Sequence, residues 1–275
     1  MYLSCLLIDV GTDPDRPRPG RLWLRNPHRV HQRLCMAFPY PQTPQTKKDD
    51  PHFLTPYWPC GFEDPEPSYC ATQDERFSQR VCFGLRSDRP VHVARSEHSN
   101  FLFRLDLLPG NRAMILVQSA REPDWGYAFH NAEYFLAGPP QTKSFDPQFE
   151  AGQHLRFRLL ANPTRKIGTK SVDGQRRHGR RVPHRDDGRC IEWLVRKGHD
   201  HGFELVYDAD GKPKVTLVRE PLRRGRRDSA TITLQGVRFD GVLGIVDAEA
   251  FREGVIKGIG SGKAFGFGLL SLAPA

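Results

Sequence analysis

The chain has 275 residues, of which 38% are hydrophobic, and it carries a formal net charge of +9. This length suffices for one large domain or two ordinary ones, and 17 Phe and 4 Trp can supply a core. No segment is apolar over the length that a bilayer requires, which argues against a membrane protein.

The first ten residues, MYLSCLLIDV, are apolar and typical of a buried β-strand. They lack the basic start and the small-residue cleavage site of a secretory signal, so we expect a soluble, cytoplasmic protein. Residues 11–20 are rich in Pro, Gly and Asp and are predicted to form a loop.

The segment after this loop carries its own helix signals. Asn26 is a good N-cap, and Pro27 suits the first helical position, where a missing N–H costs nothing. The apolar stripe of the predicted helix consists of Val30, Leu34 and Phe38. His28 and His31 lie one turn apart on one side of it. Spacing alone does not distinguish a functional pair from ordinary surface or partly buried histidines, which are more common.

Residues 39–98 are dominated by Pro, Asp, Gln and Thr without a clean apolar period, and we interpret them as an insertion. Half of the six cysteines fall there, among several histidines. These residues are Cys60, Cys70, Cys82, His52, His92 and His98. Their spacings match none of the common zinc patterns, so free thiols are the preferred interpretation and a zinc site is the alternative.

Two β-prone runs, 100–108 and 112–119, flank a short turn and predict a hairpin. Residues 122–149 are predicted to hold at most one short helix. Residues 153–161 alternate, with basic side chains such as Arg158 on the outer face, and predict a strand. The resulting order β-α-insertion-β-β-α-β suits a split βαβ, ferredoxin-like domain.

The second half has a similar α+β pattern. Its predicted elements are a helix at 190–197, strands at 203–207 and 214–219, strands at 231–234 and 237–239, a turn at Asp240-Gly241, a strand at 242–246, a helix after Asp247, and a last strand at 269–274. We therefore predict two domains, 1–161 and 162–275.

Basic residues are concentrated in this second half. Between positions 156 and 189 there are eleven basic and three acidic residues, and a second cluster reads Arg223-Arg224-Gly225-Arg226-Arg227. Such a charge can be a solvated face that keeps the protein soluble. The arginines are not interleaved with acids, however, and their planar forks suit phosphate, so a polyanion partner is indicated. Binding to it should be strongly salt-dependent.

The glycine-rich run from Gly258 to Gly268 is not a phosphate-binding P-loop. Lys257 stands where that pattern needs a glycine, Ala264 follows the lysine, and the run joins a helix to a strand rather than the reverse. It is either a tight connection or a loop whose amides and Lys263 lie against a phosphate backbone.

These features together resemble the CasE family, the CRISPR repeat-processing endoribonucleases. The resemblance rests on four stretches: Met1-Tyr2-Leu3-Ser4, His28-x-x-His31-x-x-Leu34-x-x-x-Phe38-Pro39, Leu159-x-Ala161-Asn162-Pro163, and Gly258-Ile259-Gly260-x-x-Lys263-x-x-Gly266-x-Gly268-Leu269-Leu270-Ser271-Leu272-Ala273-Pro274. Nothing in the insertion contributes to it.

The resemblance implies two tandem ferredoxin-like domains and an activity that needs no metal or other cofactor. Family members bind the stem-loop of a CRISPR repeat transcript and cut at the 3′ base of the stem. The 2′-hydroxyl is the nucleophile, and a 2′,3′-cyclic phosphate remains. The catalytic histidine of the family matches His31 here, and many members carry a tyrosine where this chain has His28. We expect His31 to be indispensable and His28 to be auxiliary.

The resemblance further implies an RNA-binding second domain and assembly with the other subunits of Cascade. The residues predicted to bind RNA are Lys263, Gly260, Gly262, Arg158, Arg165, Lys166, Arg219, Arg223, Arg224, Arg226 and Arg227. Two alternatives stay open: a Cascade subunit that binds the hairpin without cutting it, and a basic structural RNA-binding protein.

Overall fold

The computed structural model describes residues 1–13, 15, 18–38, 57–59, 83–85, 100–110, 112–129, 132–170, 176–227 and 230–275. The chain forms two compact units. The N-terminal unit contains Met1–Phe101 and Leu105–Phe145, and the C-terminal unit contains Leu102–Arg104 and Asp146–Ala275. Within the ranges just given, no helix has the length and apolar character needed to cross a membrane.

Among its described residues, the N-terminal unit contains six strands and three α-helices. These are β1 (Tyr2–Asp9), α1 (Pro19–Leu24), α2 (Pro27–Cys35), β2 (Tyr57–Pro59), β3 (Phe83–Leu85), β4 (Phe101–Leu108), β5 (Arg112–Ser119), α3 (Trp125–Ala128) and β6 (Gln141–Ser144). The first three residues after Phe101 in β4 are grouped with the C-terminal unit.

The described part of the C-terminal unit contains nine further strands and two α-helices. These are β7 (His154–Ala161), β8 (Thr164–Lys170), β9 (Arg176–Pro183), α4 (Asp187–Asp200), β10 (Phe203–Leu205), β11 (Val215–Arg219), β12 (Arg223–Arg227), β13 (Ala230–Leu234), β14 (Val237–Ile245), α5 (Ala248–Lys257) and β15 (Leu270–Pro274).

The N-terminal sheet has the strand order β4-β5-β1-β6, and β1 is antiparallel to both of its neighbours. Alternate residues of β1 and β5 are buried, as expected for a sheet with one covered face. Leu6 and Ile115 on these strands and Val30 and Leu34 on α2 are fully buried in the core.

The C-terminal sheet repeats this order as β10-β14-β7-β15, with β11 also paired to β14. Its core contains Phe157 and Phe239 from the two central strands and Leu194 and Phe251 from α4 and α5. Two consecutive units thus have a central pair of antiparallel strands, a hairpin partner and a fourth strand in the same order. This confirms the predicted α+β fold with tandem ferredoxin-like domains.

The structure corrects the predicted domain boundary between residues 161 and 162. β7 is a central strand of the C-terminal sheet, so the division falls after Phe145. The fourth strand of the N-terminal sheet is instead β6, all four residues of which are exposed. A polar strand without an apolar face has no alternation of apolar and polar residues, so β6 could not be predicted from the sequence.

Three other local predictions differ from the structure. A short helix, α1, replaces part of the predicted loop at 11–20. The predicted turn at Asp240-Gly241 is wrong, because β14 runs through both residues. α4 extends beyond the predicted 190–197 at both ends, and Asp186 caps it by accepting from the amide of Arg189 at 2.9 Å.

The predicted insertion at 39–98 lies outside the described residues except for the short paired strands β2 and β3.

Gly241 explains how β14 continues through an apparent turn. A Cβ atom at this position would lie 2.5 Å from the carbonyl oxygen of Lys214 and 3.0 Å from the Cα of Val215, on the paired strand β11. Only glycine allows so close an approach of the two backbones.

We expect Gly241→Ala to lower the free energy of unfolding by about 1–3 kcal/mol, because the backbone around Lys214 must shift. Urea denaturation measures this. Gly138→Ala is the control, since a Cβ there would meet no heavy atom within 4 Å. An equal effect of the two substitutions would contradict the close approach.

Candidate active site and basic surfaces

The helix that carries the two histidines begins as its sequence predicts. The side-chain oxygen of Asn26 accepts hydrogen bonds from the amides of His28 at 3.2 Å and Arg29 at 3.4 Å. Pro27 occupies the first turn, where its missing N–H leaves no bond unmade. The cap therefore fixes where α2 starts and, with it, the position of both imidazoles on the first two turns.

The His31 side chain is largely buried, with 5% of its surface exposed. Its Nε2 lies 3.7 Å from the Sγ of Cys35, one turn further along α2. Its ring centroid lies 5.2 Å from that of Phe101, which stacks in turn on Phe38 at 5.4 Å. His31 is thus an ordered interior group rather than a solvated surface histidine.

His28 is only partly buried, and its ring centroid lies 6.4 Å from that of His31 with 30° between the ring planes. The helical spacing predicted this neighbourhood. The two imidazoles are therefore neighbours on the first two turns of α2, with His31 the more buried and His28 the more exposed.

Arg33 holds the same helix from another side. Only 2% of its surface is exposed, and its Nη1 donates a hydrogen bond at 2.8 Å to the carbonyl of Ala128, the last residue of α3. A buried guanidinium requires such a partner. Arg33, Cys35 and Phe101 were not predicted from the sequence. None of them carries a sequence signal beyond a helical spacing or a β-prone run.

In the C-terminal unit, Arg158 lies on the exposed face of β7. Its Nε is 2.5 Å from Oδ1 of Asp240, the residue opposite it on β14. Arg238 binds the other oxygen of Asp240 at 2.9 Å and also reaches Glu220 at 3.4 Å. Two guanidinium groups thus meet two carboxylates, so the charges of this cluster balance within the protein.

Arg165 and Lys166 are exposed residues of β8, which pairs with β9 in a two-stranded ribbon. At its base, the amide of His184 donates to the carbonyl of Pro163 at 3.0 Å. Burial lowers the pKa of His184, and the positive charges of Arg165, Arg196 and Arg189 lower it further, so the imidazole is neutral at neutral pH.

Arg219 is engaged with protein groups at the start of α4. Its Nη2 donates to the carbonyl of Arg185 at 2.7 Å and lies 2.5 Å from Oδ1 of Asp187, and its Nη1 donates to the carbonyl of His184 at 3.3 Å. Burial raises the pKa of the neighbouring Cys190 thiol, an effect that the charge of Arg219 partly offsets. Arg219 therefore joins the end of β11 to α4.

The second basic cluster forms β12, which pairs with β13 in another two-stranded ribbon. Arg223 at its start donates to the carbonyl of Phe265 at 3.1 Å and lies 5.2 Å from the ring centroid of Phe267. The ribbon is thereby attached to the glycine-rich loop. Arg224, Arg226 and Arg227 lie opposite Thr233, Thr231 and Ala230 in the register of the ribbon.

The glycine-rich loop is a tightly folded connection. Ile259 donates its amide to the carbonyl of Gly268 at 2.9 Å, and Gly268 donates to the carbonyl of Leu160 at 2.8 Å. Gly260 and Gly262 have φ angles of +85° and +88°, which favour glycine. Lys263 donates a hydrogen bond from Nζ to the carbonyl of Lys257, the last residue of α5.

The predicted residues therefore fall into separate groups. His28 and His31 lie together in the N-terminal unit, and all predicted RNA-binding residues lie in the C-terminal unit. There, Lys263, Gly260 and Gly262 share the loop to which Arg223 binds, whereas Arg158 and Arg219 lie on other elements.

Among the described residues, no group of three or more His, Cys, Asp or Glu side chains could hold a metal ion. The cysteines Cys60, Cys70 and Cys82 lie outside those residues.

Comparison with known proteins assigns the chain to a family. A family model described as "CRISPR associated protein" matches residues 82–274. The chain is 34% identical over 180 residues to the CRISPR-associated endoribonuclease Cse3 of Thermus thermophilus, which covers 63% of this chain and 79% of that protein. It is 35% identical over 164 residues to the Cascade subunit CasE of Escherichia coli K12, covering 58% and 74%.

The likeness extends to three dimensions. A solved structure of Thermus thermophilus Cse3, bound to an RNA representing a pre-cleavage complex, superposes with a TM-score of 0.62 at 25% identity and covers 99% of this chain and 98% of that chain. The family model spans more than half of this chain, and the alignments to Cse3 and CasE span more than two thirds of each relative. The chain therefore belongs to the CasE family of CRISPR-associated proteins.

Proposed function

We propose that this protein is an endoribonuclease that binds the stem-loop of a CRISPR repeat transcript and cuts it at the 3′ base of the stem. Three comparisons support this: one relative is named an endoribonuclease, its solved structure holds RNA, and another relative is named a Cascade subunit. The protein then stays on the processed RNA as a subunit of Cascade. We expect it to act in the cytoplasm, where its substrate is transcribed.

The observation that carries this proposal is the environment of His31. A buried imidazole, held between a thiol and a phenyl ring on a capped helix, is ordered well enough to act on one defined atom. Histidine changes protonation near neutral pH and suits general acid–base chemistry. His28, one helical turn away, is accessible enough to orient the phosphate or the nucleophile.

In the proposed reaction the 2′-hydroxyl beside the scissile phosphate attacks the phosphorus and gives up its proton. The bond from phosphorus to the 5′-oxygen breaks, and that oxygen takes a proton as it leaves. The products are a 2′,3′-cyclic phosphate and a 5′-hydroxyl. Because the nucleophile belongs to the RNA itself, the reaction requires no metal-bound water. His31 transfers a proton at one of these two oxygens.

The basic ribbons β8–β9 and β12–β13 supply the cations for the RNA stem. Double-stranded RNA is recognised mainly through its shape and its phosphates, and arginine forks bind phosphate oxygens in pairs. Arg165 and Lys166 are exposed on the first ribbon, and Arg224, Arg226 and Arg227 belong to the second. The glycine-rich loop with Lys263 supports the second ribbon through Arg223.

A hairpin-binding Cascade subunit without cleavage activity is the second candidate, because His28 stands where many relatives carry a tyrosine. Incubation of repeat RNA with the protein in EDTA distinguishes the two candidates. Product ending in a cyclic phosphate indicates the nuclease, and intact bound RNA indicates the binding subunit.

We expect His31→Ala to slow repeat cleavage by about 10²–10⁴-fold, the usual contribution of a general acid or base. RNA affinity should stay close to that of the wild type, because the substitution removes no arginine or lysine. Single-turnover cleavage in EDTA and fluorescence anisotropy with the same RNA measure the two quantities.

His28→Ala is the matched comparison on the same helix and should cost less activity than His31→Ala. His28→Tyr tests the role of position 28. Full activity of this variant means that histidine and tyrosine at this position both only position the RNA and that no second proton-transfer group is needed. Cleavage by His31→Ala near the wild-type rate would refute the assignment of His31.

We expect the double substitution Arg224→Gln and Arg226→Gln to make RNA binding less salt-dependent. If each arginine neutralises one phosphate, the slope of log affinity against log salt falls in magnitude by roughly 1.5. Anisotropy titrations over a KCl series measure it, with a 2′-deoxy group at the cleavage site to keep the RNA intact. Arg252→Gln removes a cation that is paired with Asp146 at 2.8 Å and should leave the slope unchanged. Equal slopes for the double variant and the wild type would exclude this ribbon from the interface.

We expect Arg219→Met to lower the free energy of unfolding by about 1–2 kcal/mol, because two carbonyls and a carboxylate lose their donor. The loss of stability should lie near the lower of these two values, because the Asp187 side chain is 68% exposed and solvent screens its ion pair with Arg219. Arg156→Met removes an exposed charge from β7 and serves as the control in urea denaturation. Unchanged stability together with weaker RNA binding would instead assign Arg219 to the RNA interface.

A further inference from the structure

The buried contact between Cys35 and His31 is an arrangement that the reaction described above leaves unexplained. The two residues are four apart on α2, which brings their side chains onto the same side of the helix. Sγ lies 3.7 Å from Nε2, within hydrogen-bonding range for sulfur, and both side chains are at least 95% buried. Their contact is therefore shielded from competition with bulk water.

The chemistry of the two groups gives this contact a direction. An imidazole nitrogen is a good acceptor, whereas a thiol sulfur accepts only weakly and can donate its proton. Of the two directions that the contact allows, donation from the Cys35 thiol to Nε2 is therefore the favoured one. In a neutral imidazole the nitrogen that accepts carries no proton, so the ring proton is placed on Nδ1.

Phe101 restricts the ring from a second direction. Its centroid lies 5.2 Å from that of His31 with 35° between the planes, and Phe101 is itself stacked on Phe38 with 19° between those planes. The phenyl ring limits tilting of the imidazole but selects neither nitrogen. Selection of the tautomer is left to a polar contact such as that of the Cys35 thiol.

We propose that Cys35 is a positioning residue that sets the tautomer and the orientation of the His31 ring. The effect of Cys35 on cleavage rests on the proposed function, since it requires that His31 transfers a proton. The effect on the tautomer does not, because it concerns only two side chains of the N-terminal unit. The two effects can be measured separately.

The first experiment reads the tautomer of His31 by ¹⁵N NMR of the full chain with labelled histidine, using His31→Ala to assign the signals. In the wild type we expect the proton on Nδ1 of the neutral ring. In Cys35→Ala the signals should move toward the other tautomer. Cys35→Ser should restore the wild-type pattern in part, because the hydroxyl is a better donor but its shorter bond leaves the oxygen farther from Nε2.

The second experiment measures single-turnover cleavage of a repeat RNA by the same proteins. We expect Cys35→Ala to be slower by about tenfold, as for a small displacement of a reacting group. Cys35→Ser should fall between Cys35→Ala and the wild type, and RNA affinity should not change. Cys5→Ala is the matched control, since it removes a partly exposed thiol of the same unit from β1.

The results separate this inference from the proposed function. If Cys35→Ala changes neither the tautomer nor the rate while His31→Ala abolishes cleavage, the positioning role is refuted and the nuclease proposal stands. If the tautomer moves but His31→Ala still cleaves normally, the positioning role stands and the catalytic role of His31 is refuted. A rate loss without a tautomer change, equal in Cys35→Ala and Cys35→Ser, would mean packing alone and would also overturn the inference.

Discussion

The packing of α2 against its sheet is the constraint on which the candidate active site depends. Val30 and Leu34 are fully buried, and the buried guanidinium of Arg33 donates to the carbonyl of Ala128. Rotation of the helix would expose the apolar pair and take the guanidinium away from the carbonyl of Ala128, and the second change alone costs about 1–3 kcal/mol. His31 is therefore held in place by residues that perform no chemistry themselves. A nine-residue helix is too short to be stable by its own hydrogen bonds, so this tertiary packing also maintains the helix.

The C-terminal unit separates its core from its charge. The same strand order as in the N-terminal sheet builds a core in which Phe157, Phe239 and Phe251 are buried. The arginine-rich segments form two ribbons, β8–β9 and β12–β13, that add no strand to this sheet. Strands with several arginines cannot be buried without a partner for each charge, so a ribbon beside the sheet is the arrangement that costs least. Substitutions on the ribbons should therefore leave this core largely undisturbed.

The sequence predicted those parts of the structure in which local chemistry and the fold agree. The capped helix with its two histidines, the hairpin of β4 and β5 and the Asp247 cap of α5 all follow from short-range signals. The exposed strand β6 has no apolar face to detect. Gly241 was predicted to be a turn residue because the true requirement for glycine, the close approach of the Lys214 backbone just before β11, is remote in the sequence. The contacts of His31 with Cys35 and Phe101 were not predicted either, each for its own reason. The contact with Cys35, four residues away on the same helix, can be predicted only when an interaction between a thiol and an imidazole is expected. Phe101 is separated from His31 in the sequence by the predicted insertion.

The formal charge of the sequence also overstates the number of cations directed at a ligand. Arg158 shares Asp240 with Arg238, Arg219 serves two carbonyls and Asp187, and Arg223 donates to Phe265. Lys263 donates to the end of α5. Each of these groups must give up or share an internal partner before it can neutralise a phosphate. The loss of that internal hydrogen bond offsets part of the free energy gained by binding the phosphate. Affinity for RNA should thus follow the arrangement of the ribbons more closely than the count of arginines. A basic patch read from sequence is better treated as an upper limit on phosphate contacts, because some of its charges are already used to fold the protein.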